Sequence, residues 1–167
     1  MNKFLLIFLI AATNSYSQSN KPVEVLDNIN TKNPANYKQI SNTNVWLIPP
    51  KDFIEADMFS GLRLNDSTII ICNEIHDKDQ IAKLPPMEKP VSEEGGIKIT
   101  DFKKITVNGT KGAYVSFQKD KKINAYQLIF GDETFRVIIT ATVPISSIKL
   151  LKNDILTSFN SIYYDNK

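Results

Sequence analysis

One dipeptide constrains this chain more than any other feature: Asn108-Gly109, set between two runs of alternating hydrophobicity. Asn-Gly tolerates the positive φ angles of a two-residue hairpin turn, so Ile97 to Val107 and Lys111 to Gln118 are expected to pair antiparallel across it. Ala113, Val115 and Phe117 alternate with polar neighbours in the second run. In the first, Ile97, Ile99, Ile105 and Val107 share one parity and Phe102 breaks it, which predicts a bulge or a two-sided environment there. Asp120-Lys121-Lys122 and Gly131-Asp132-Glu133 are further turn signals. They delimit a strand from Ile123 to Phe130 and one of high β propensity from Phe135 to Val143.

After Pro144 the period changes. Ile148, Leu151, Ile155, Phe159 and Ile162 recur at spacings of three and four with Leu156 beside them, one face of a helix expected over Ser146 to Ile162. Ser146 or Ser147 is the expected cap. A helix of this length is marginal alone and has to lie on the sheet. The predicted class is therefore α+β: an antiparallel sheet with the C-terminal helix packed on one face.

Upstream the pattern predicts a strand from Tyr37 to Ile48 ending at Pro49-Pro50, and a short strand from Phe59 to Leu64. A strand from Thr68 to Ile75 follows, with Ile on both faces. Asp77 with Gln80 three residues on resembles a capping box and predicts a two-turn helix to Leu84, stopped by Pro85-Pro86. Met87 to Gly96 has no periodicity and reads as a long loop.

The first 17 residues have the form of an export signal: Lys3, an apolar run from Phe4 to Ala12, and Ser15-Tyr16-Ser17. The run is about half the roughly 20 residues a membrane helix needs, so cleavage before Gln18 is expected and a membrane anchor is not. No cysteine follows the run, so no lipid-bearing thiol is expected at the new N-terminus. Residues 18–36 read as a flexible lead-in with one short helical turn around Val23 to Ile29. Residues 37–167 read as a single α+β domain. Periplasm or secretion is the expected destination. The formal charge of +2 falls to +1 without Lys3, too little for a global field that would hold nucleic acid or an anionic bilayer.

The chemistry-bearing inventory is small. One histidine, His76, and one cysteine, Cys72, cannot supply the three or four ligands of a zinc site. Cys72 lies in Ile69-Ile70-Ile71-Cys72 and is expected as a small buried hydrophobe; His76 is expected as an exposed polar residue leaving a strand. Asp77-Lys78-Asp79 and Gly131-Asp132-Glu133 carry too few oxygens at loop spacing for calcium. The glycines precede or join strands and do not open helices, so no phosphate cradle is expected. No catalytic, cofactor-binding or metal-ligating residue is assigned and no cofactor is expected.

The order of motifs resembles the PsbP/Mog1-like group, including its DcrB-type envelope members. Val45-Trp46-Leu47-Ile48-Pro49-Pro50-Lys51-Asp52-Phe53 with Phe59-Ser60-Gly61 is similar to its opening, and Ile69 to Ile75 to its next strand. Ile105 to Gly112 is similar to its glycine-marked hairpin, and Phe130-Gly131-Asp132 with Ile138 to Pro144 to its C-terminal half. The resemblance spans roughly Val45 to Tyr163. It implies an α/β/α sandwich and an accessory or binding role, since the group holds photosystem II extrinsic subunits, a Ran GTPase-binding factor and envelope proteins. Asp77 to Gly96 departs from the group's longer helical insertion, and the matched positions are turns and core strands, so no functional residue is carried over. The expected function is an exported, non-enzymatic accessory protein with a protein partner in the envelope. The alternatives are a carrier holding an apolar ligand between sheet and helix near the loop before Gly95, or a hydrolase whose carboxylates meet only in the fold.

Overall fold

The computed structural model describes residues 22–31, 36–85, 87–88 and 96–165; the segment expected to be an export signal (residues 1–17) and most of the loop from Met87 to Gly96 lie outside the described residues. Thirteen regular elements follow in chain order: β1 (Asn28–Ile29), β2 (Lys38–Gln39), β3 (Val45–Leu47), β4 (Ile54–Glu55), β5 (Gly61–Asn65), β6 (Thr68–Ile75), α1 (Lys78–Lys83), β7 (Ile97–Val107), β8 (Thr110–Lys119), β9 (Ile123–Gly131), β10 (Arg136–Pro144), α2 (Ile148–Asn160) and β11 (Tyr163–Tyr164). The main sheet runs β1-β7-β8-β9-β10-β6-β5-β4, antiparallel except for the parallel β1–β7 pair. A second sheet, β11-β3-β2, has three short strands.

The expected hairpin is present. Asn108 and Gly109 take φ of 48° and 82°, and Val107 pairs with Thr110. The register slips between Ile99 and Asp101, so Thr100 is a bulge. The bulge resolves the parity conflict: it turns Ile99 and Ile97 to the face that Phe102, Val115 and Phe117 share, opposite to Ile105 and Val107.

One face of the sheet holds the core. Val137, Ile139, Ala141 and Val143 of β10 are fully buried, in register with Ile70 and Cys72 of β6 and with Tyr126, Leu128 and Phe130 of β9. Ile155, Leu156 and Phe159 of α2, Val45 and Leu47 of β3, and Ile162 close over them. The stripe predicted for the helix is the buried one, and Leu150, off the stripe, is exposed. The fold is a mixed α+β arrangement with one C-terminal helix packed on a large sheet.

Several expectations need correction. Residues 23–29 form no helical turn: β1 extends the sheet edge, with Asn28 beside Thr106 and Ile29 beside Val107. Val25 and Ile29 belong to the core, so part of the expected lead-in is interior. A free ladder edge and two buried aliphatics outweigh a helical turn too short to be stable. The single strand expected from Tyr37 to Ile48 is two, because Ser41-Asn42-Thr43-Asn44 turns the chain with Asn42 at φ 60°. Both belong to the small sheet. The strand expected from Phe59 begins at Gly61, and β4, not anticipated, pairs with it.

The helix cap also differs. Ser147 holds the cap position without a side-chain hydrogen bond, and a 3-10 turn over Ile145–Ser147 leads into α2 instead. The second helical layer of the expected sandwich is reduced, among the described residues, to α1. Its one buried side chain, Ile81, stands outside the main core. Ile69, Ile71, Ile129 and Ile138 on that outer face are only half-buried, so β6 is not covered equally on both sides. Asp77 does cap α1, accepting from the Gln80 N–H at 3.0 Å.

Candidate functional site

Two polar places lie on the inner face of the main sheet, at opposite ends of its strands. The first is built on Glu74. In β6, Ile70, Cys72 and Glu74 share one parity, so the strand that buries the two apolar side chains also turns the carboxylate inward. Its side chain is 4% exposed. Oε2 accepts from the Asn44 N–H at 2.6 Å; Oε1 accepts from Asn44 Nδ2 at 2.9 Å and Tyr164 Oη at 2.8 Å. His76 Nε2 stands 2.8 Å from Oε1. Phe135 stacks on the Tyr164 ring, centroids 4.7 Å apart, and Phe130 meets it edge-on.

Burial alone pushes the Glu74 pKa up, but the Asn44 N–H, Tyr164, His76 and the Asn44 amide together outweigh it and hold the carboxyl below its ordinary range. Burial, and next the Glu74 carboxylate, push the Tyr164 phenol up. The four donors favour the ionised carboxylate. They make it a clasp joining β6, the turn before β3, and β11.

His76 is the one histidine of the chain. It sits at the rim with 59% of its side chain exposed, facing a shallow depression lined by Gln39, Thr43 and Asn44. Its described partner is the engaged Glu74. Cys72, on the same strand face as Glu74, is buried, and desolvation first and the Glu74 charge second push its thiol up to about 12. Such a thiol stays protonated and is a poor nucleophile. The expected assignments for both residues therefore agree with their settings. Glu74 itself was missed, although its parity with Ile70 and Cys72 was the available signal.

The second place is a cleft of about 780 Å³ between α2, the segment 22–25 and strands β7 to β9. Even-numbered residues of β8 and β9 point inward there: Tyr114, Ser116 and Gln118 alongside Asn124 and Tyr126. Tyr114, Ser116, Asn124 and Tyr126 are each at most 8% exposed. Ser116 Oγ bonds Thr100 Oγ1 at 2.7 Å, and Gln118 Nε2 donates to Asn124 Oδ1 at 3.2 Å. Burial pushes both phenols up, Tyr126 to about 12. The Tyr126 hydroxyl has no hydrogen-bond partner among the described residues. Ile145, Ile148 and Leu156 form the helix-side wall. Lys103, on the same face, is already engaged by the Val25 carbonyl and by Asp27, each at 2.7 Å.

A space between sheet and helix had been expected for a carrier, but with an apolar lining. The lining is mixed because the inward parity of β8 and β9 places hydroxyls and carboxamides beyond the last apolar rows. Among the described residues no three His, Cys, Asp or Glu side chains come together to hold a metal, and no helix is long and apolar enough to cross a membrane.

No protein-family model matches the chain, and no curated protein sequence matches it either. Among solved structures, it is similar to the solution structure of cyanobacterial PsbP (CyanoP) from Synechocystis sp. PCC 6803. The identity is 6%, over 77% of this chain and 91% of that one, with a TM-score of 0.50. A crystal structure from Bacteroides thetaiotaomicron VPI-5482 matches at 14% identity over 74% of this chain and 46% of that one, TM-score 0.42. At 6% identity the likeness to cyanobacterial PsbP concerns the fold: a large sheet with a single C-terminal helix packed on it.

Proposed function

We propose that this chain is an exported, non-enzymatic accessory protein of the bacterial envelope that works by binding a protein partner, in the manner of the DcrB-type proteins it resembles. The observation that carries the reading is the Glu74 clasp. The place where histidine, cysteine and carboxylate come near each other is arranged for fastening: its carboxylate is engaged by four donors and its thiol is buried and protonated. The export signal supports the location, and the PsbP-like fold supports an accessory role by analogy. In this reading the signal ends at Ser17, and the mature chain begins at Gln18 and folds as one domain.

The test has two parts. Mass spectrometry of protein purified from its own cells finds the N-terminus at Gln18, and crosslinking in those cells joins the mature chain to a defined envelope protein. A chain that retains Met1 in the cytoplasm sinks the reading. A second reading, a carrier of a small molecule, is favoured by one observation, the cleft between α2 and the sheet, whose volume lies in the roughly 300–1,000 Å³ range of small-molecule sites.

A further inference from the structure

We propose that the cleft between α2 and strands β7 to β9 binds a neutral, hydroxyl-rich molecule of the size of a mono- or disaccharide, held by Tyr114, Tyr126, Asn124 and Gln118. The proposal rests on the carrier reading and names its ligand class. Three observations lead to it.

The first is an unengaged hydrogen-bonding capacity lining the cleft. Tyr126 is 5% exposed and lines the cleft, yet its hydroxyl has no partner among the described residues. Asn124, 8% exposed, uses its carbonyl oxygen on Gln118, and its amide nitrogen has no partner among the described residues either. Neither atom is sealed away: the buried side-chain atoms without a partner among the described residues are Arg63 Nε, Asn108 Oδ1, Arg136 Nε and Ser158 Oγ, so the two cleft groups are open to a ligand. At the Glu74 end of the same face, by contrast, the Asn44, Tyr164 and His76 groups are all bonded to the carboxylate.

The second is the balance of charge. From β7 two lysines share this face by register: Lys103, opposite Tyr114, is neutralised by Asp27 and bound to the Val25 carbonyl, and Lys98, opposite Gln118, is exposed at the rim. A ligand carboxylate or phosphate set on the tyrosine floor would find no free buried cation, and burying an uncompensated charge is prohibitive. The exposed rim charges balance in sign, Lys98 and Lys152 against Glu24 and Asp101.

The third is the kind of group offered. Phenols and carboxamides both donate and accept, as sugar hydroxyls do. The tyrosine rings and the Ile148 and Leu156 side chains supply apolar surface for the C–H face of a pyranose. A purely apolar ligand would bury the Tyr126 and Asn124 polar atoms without partners.

The test is a titration of the mature protein, followed by amide chemical shifts, with glucose, maltose, cellobiose and N-acetylglucosamine. D-glucuronate and laurate serve as anionic and apolar probes, each to about 10 mM, the scale of weak binding. The expected result is a saturable response to at least one neutral sugar, at residues 114–118 and 124–126 and in α2. Tyr126→Phe weakens it about three- to tenfold, the loss of one neutral hydrogen bond, without lowering the melting temperature. Lys152→Met leaves it unchanged. Saturable binding of laurate or glucuronate without any sugar overturns the ligand class and leaves the carrier reading standing. No response to any probe overturns both, and the accessory reading is judged separately by the crosslinking. A sugar response that Tyr126→Phe does not alter, in a protein that melts normally, also overturns the proposal.

Discussion

The two ends of the inner sheet face carry comparable polar groups and treat them in opposite ways. At the β6 end, Glu74 is buried with Asn44, Tyr164 and His76 all bonded to it, and aromatic stacking holds Tyr164 in place. At the β8–β9 end, Tyr126 and Asn124 line an open cleft and keep a hydroxyl and an amide nitrogen without partners among the described residues. Burial alone therefore does not mark a functional site. What separates the two ends is whether the polar groups are already engaged by one another or left open to the cleft.

The largest expected effect is a baseline for both ends. Phe159→Ala removes a fully buried ring from the face of α2 that closes the core, and such truncations cost about 3–5 kcal/mol. In a domain of this size the melting temperature falls by roughly 10 °C. A melt equal to wild type would mean that α2 is not docked.

Glu74→Gln comes next, at about 2–4 kcal/mol, because it replaces an acceptor of four hydrogen bonds with a group that brings donors of its own. The same clasp predicts a pH dependence. The folded-state pKa of Glu74 lies below its ordinary value of 4.5, so its stabilisation is fully present above that value and is lost as pH falls through the folded pKa. Thermal melts of wild type should drop over this acidic window, and those of Glu74→Gln should drop less. Parallel curves would show that the clasp is not stabilising.

A matched pair sharpens the comparison directly. Tyr164→Phe deletes a hydroxyl bonded to a carboxylate and is expected to cost about 1–2 kcal/mol. Tyr126→Phe deletes one without a described partner and is expected to cost less than about 0.5 kcal/mol. Equal losses in denaturant titrations would erase the distinction between the two ends.

The smallest effect is expected at His76, whose side chain is mostly exposed. His76→Gln should change stability by less than about 0.5 kcal/mol and should complement a deletion strain wherever the deletion has a phenotype. Loss of complementation at normal protein levels would move catalysis back to the front.

Much of the fold was readable locally. β6 and β7 lie where alternation put them, and β8 to β10 and α2 differ by one to two residues at their ends, because period and turn chemistry are properties of neighbouring residues. Asp77 announced its cap through the Gln80 spacing, and the Phe102 parity conflict announced the bulge. The candidate sites were less visible. Cys72 and His76 were the residues singled out, whereas Glu74 organises one end and Tyr126 lines the other. An inward-facing Glu in a strand looks, without its partners, like any solvated carboxylate.

The sequence by itself determined the α+β class, the central strands, the Asn108-Gly109 turn and the stripe that α2 buries, since each rests on spacings of a few residues. Only the tertiary structure decided that residues 28–29 form a sheet edge, that β3 and β11 share a small sheet, and that one end of the inner face is closed by bonds while the other is left open. Those outcomes depend on partners far apart in the chain: Tyr164 meets Glu74 across 90 residues, and Ile29 lies beside Val107. Such contacts form only when the whole core assembles, because the entropy of closing long loops has to be offset by burial that no short segment can supply.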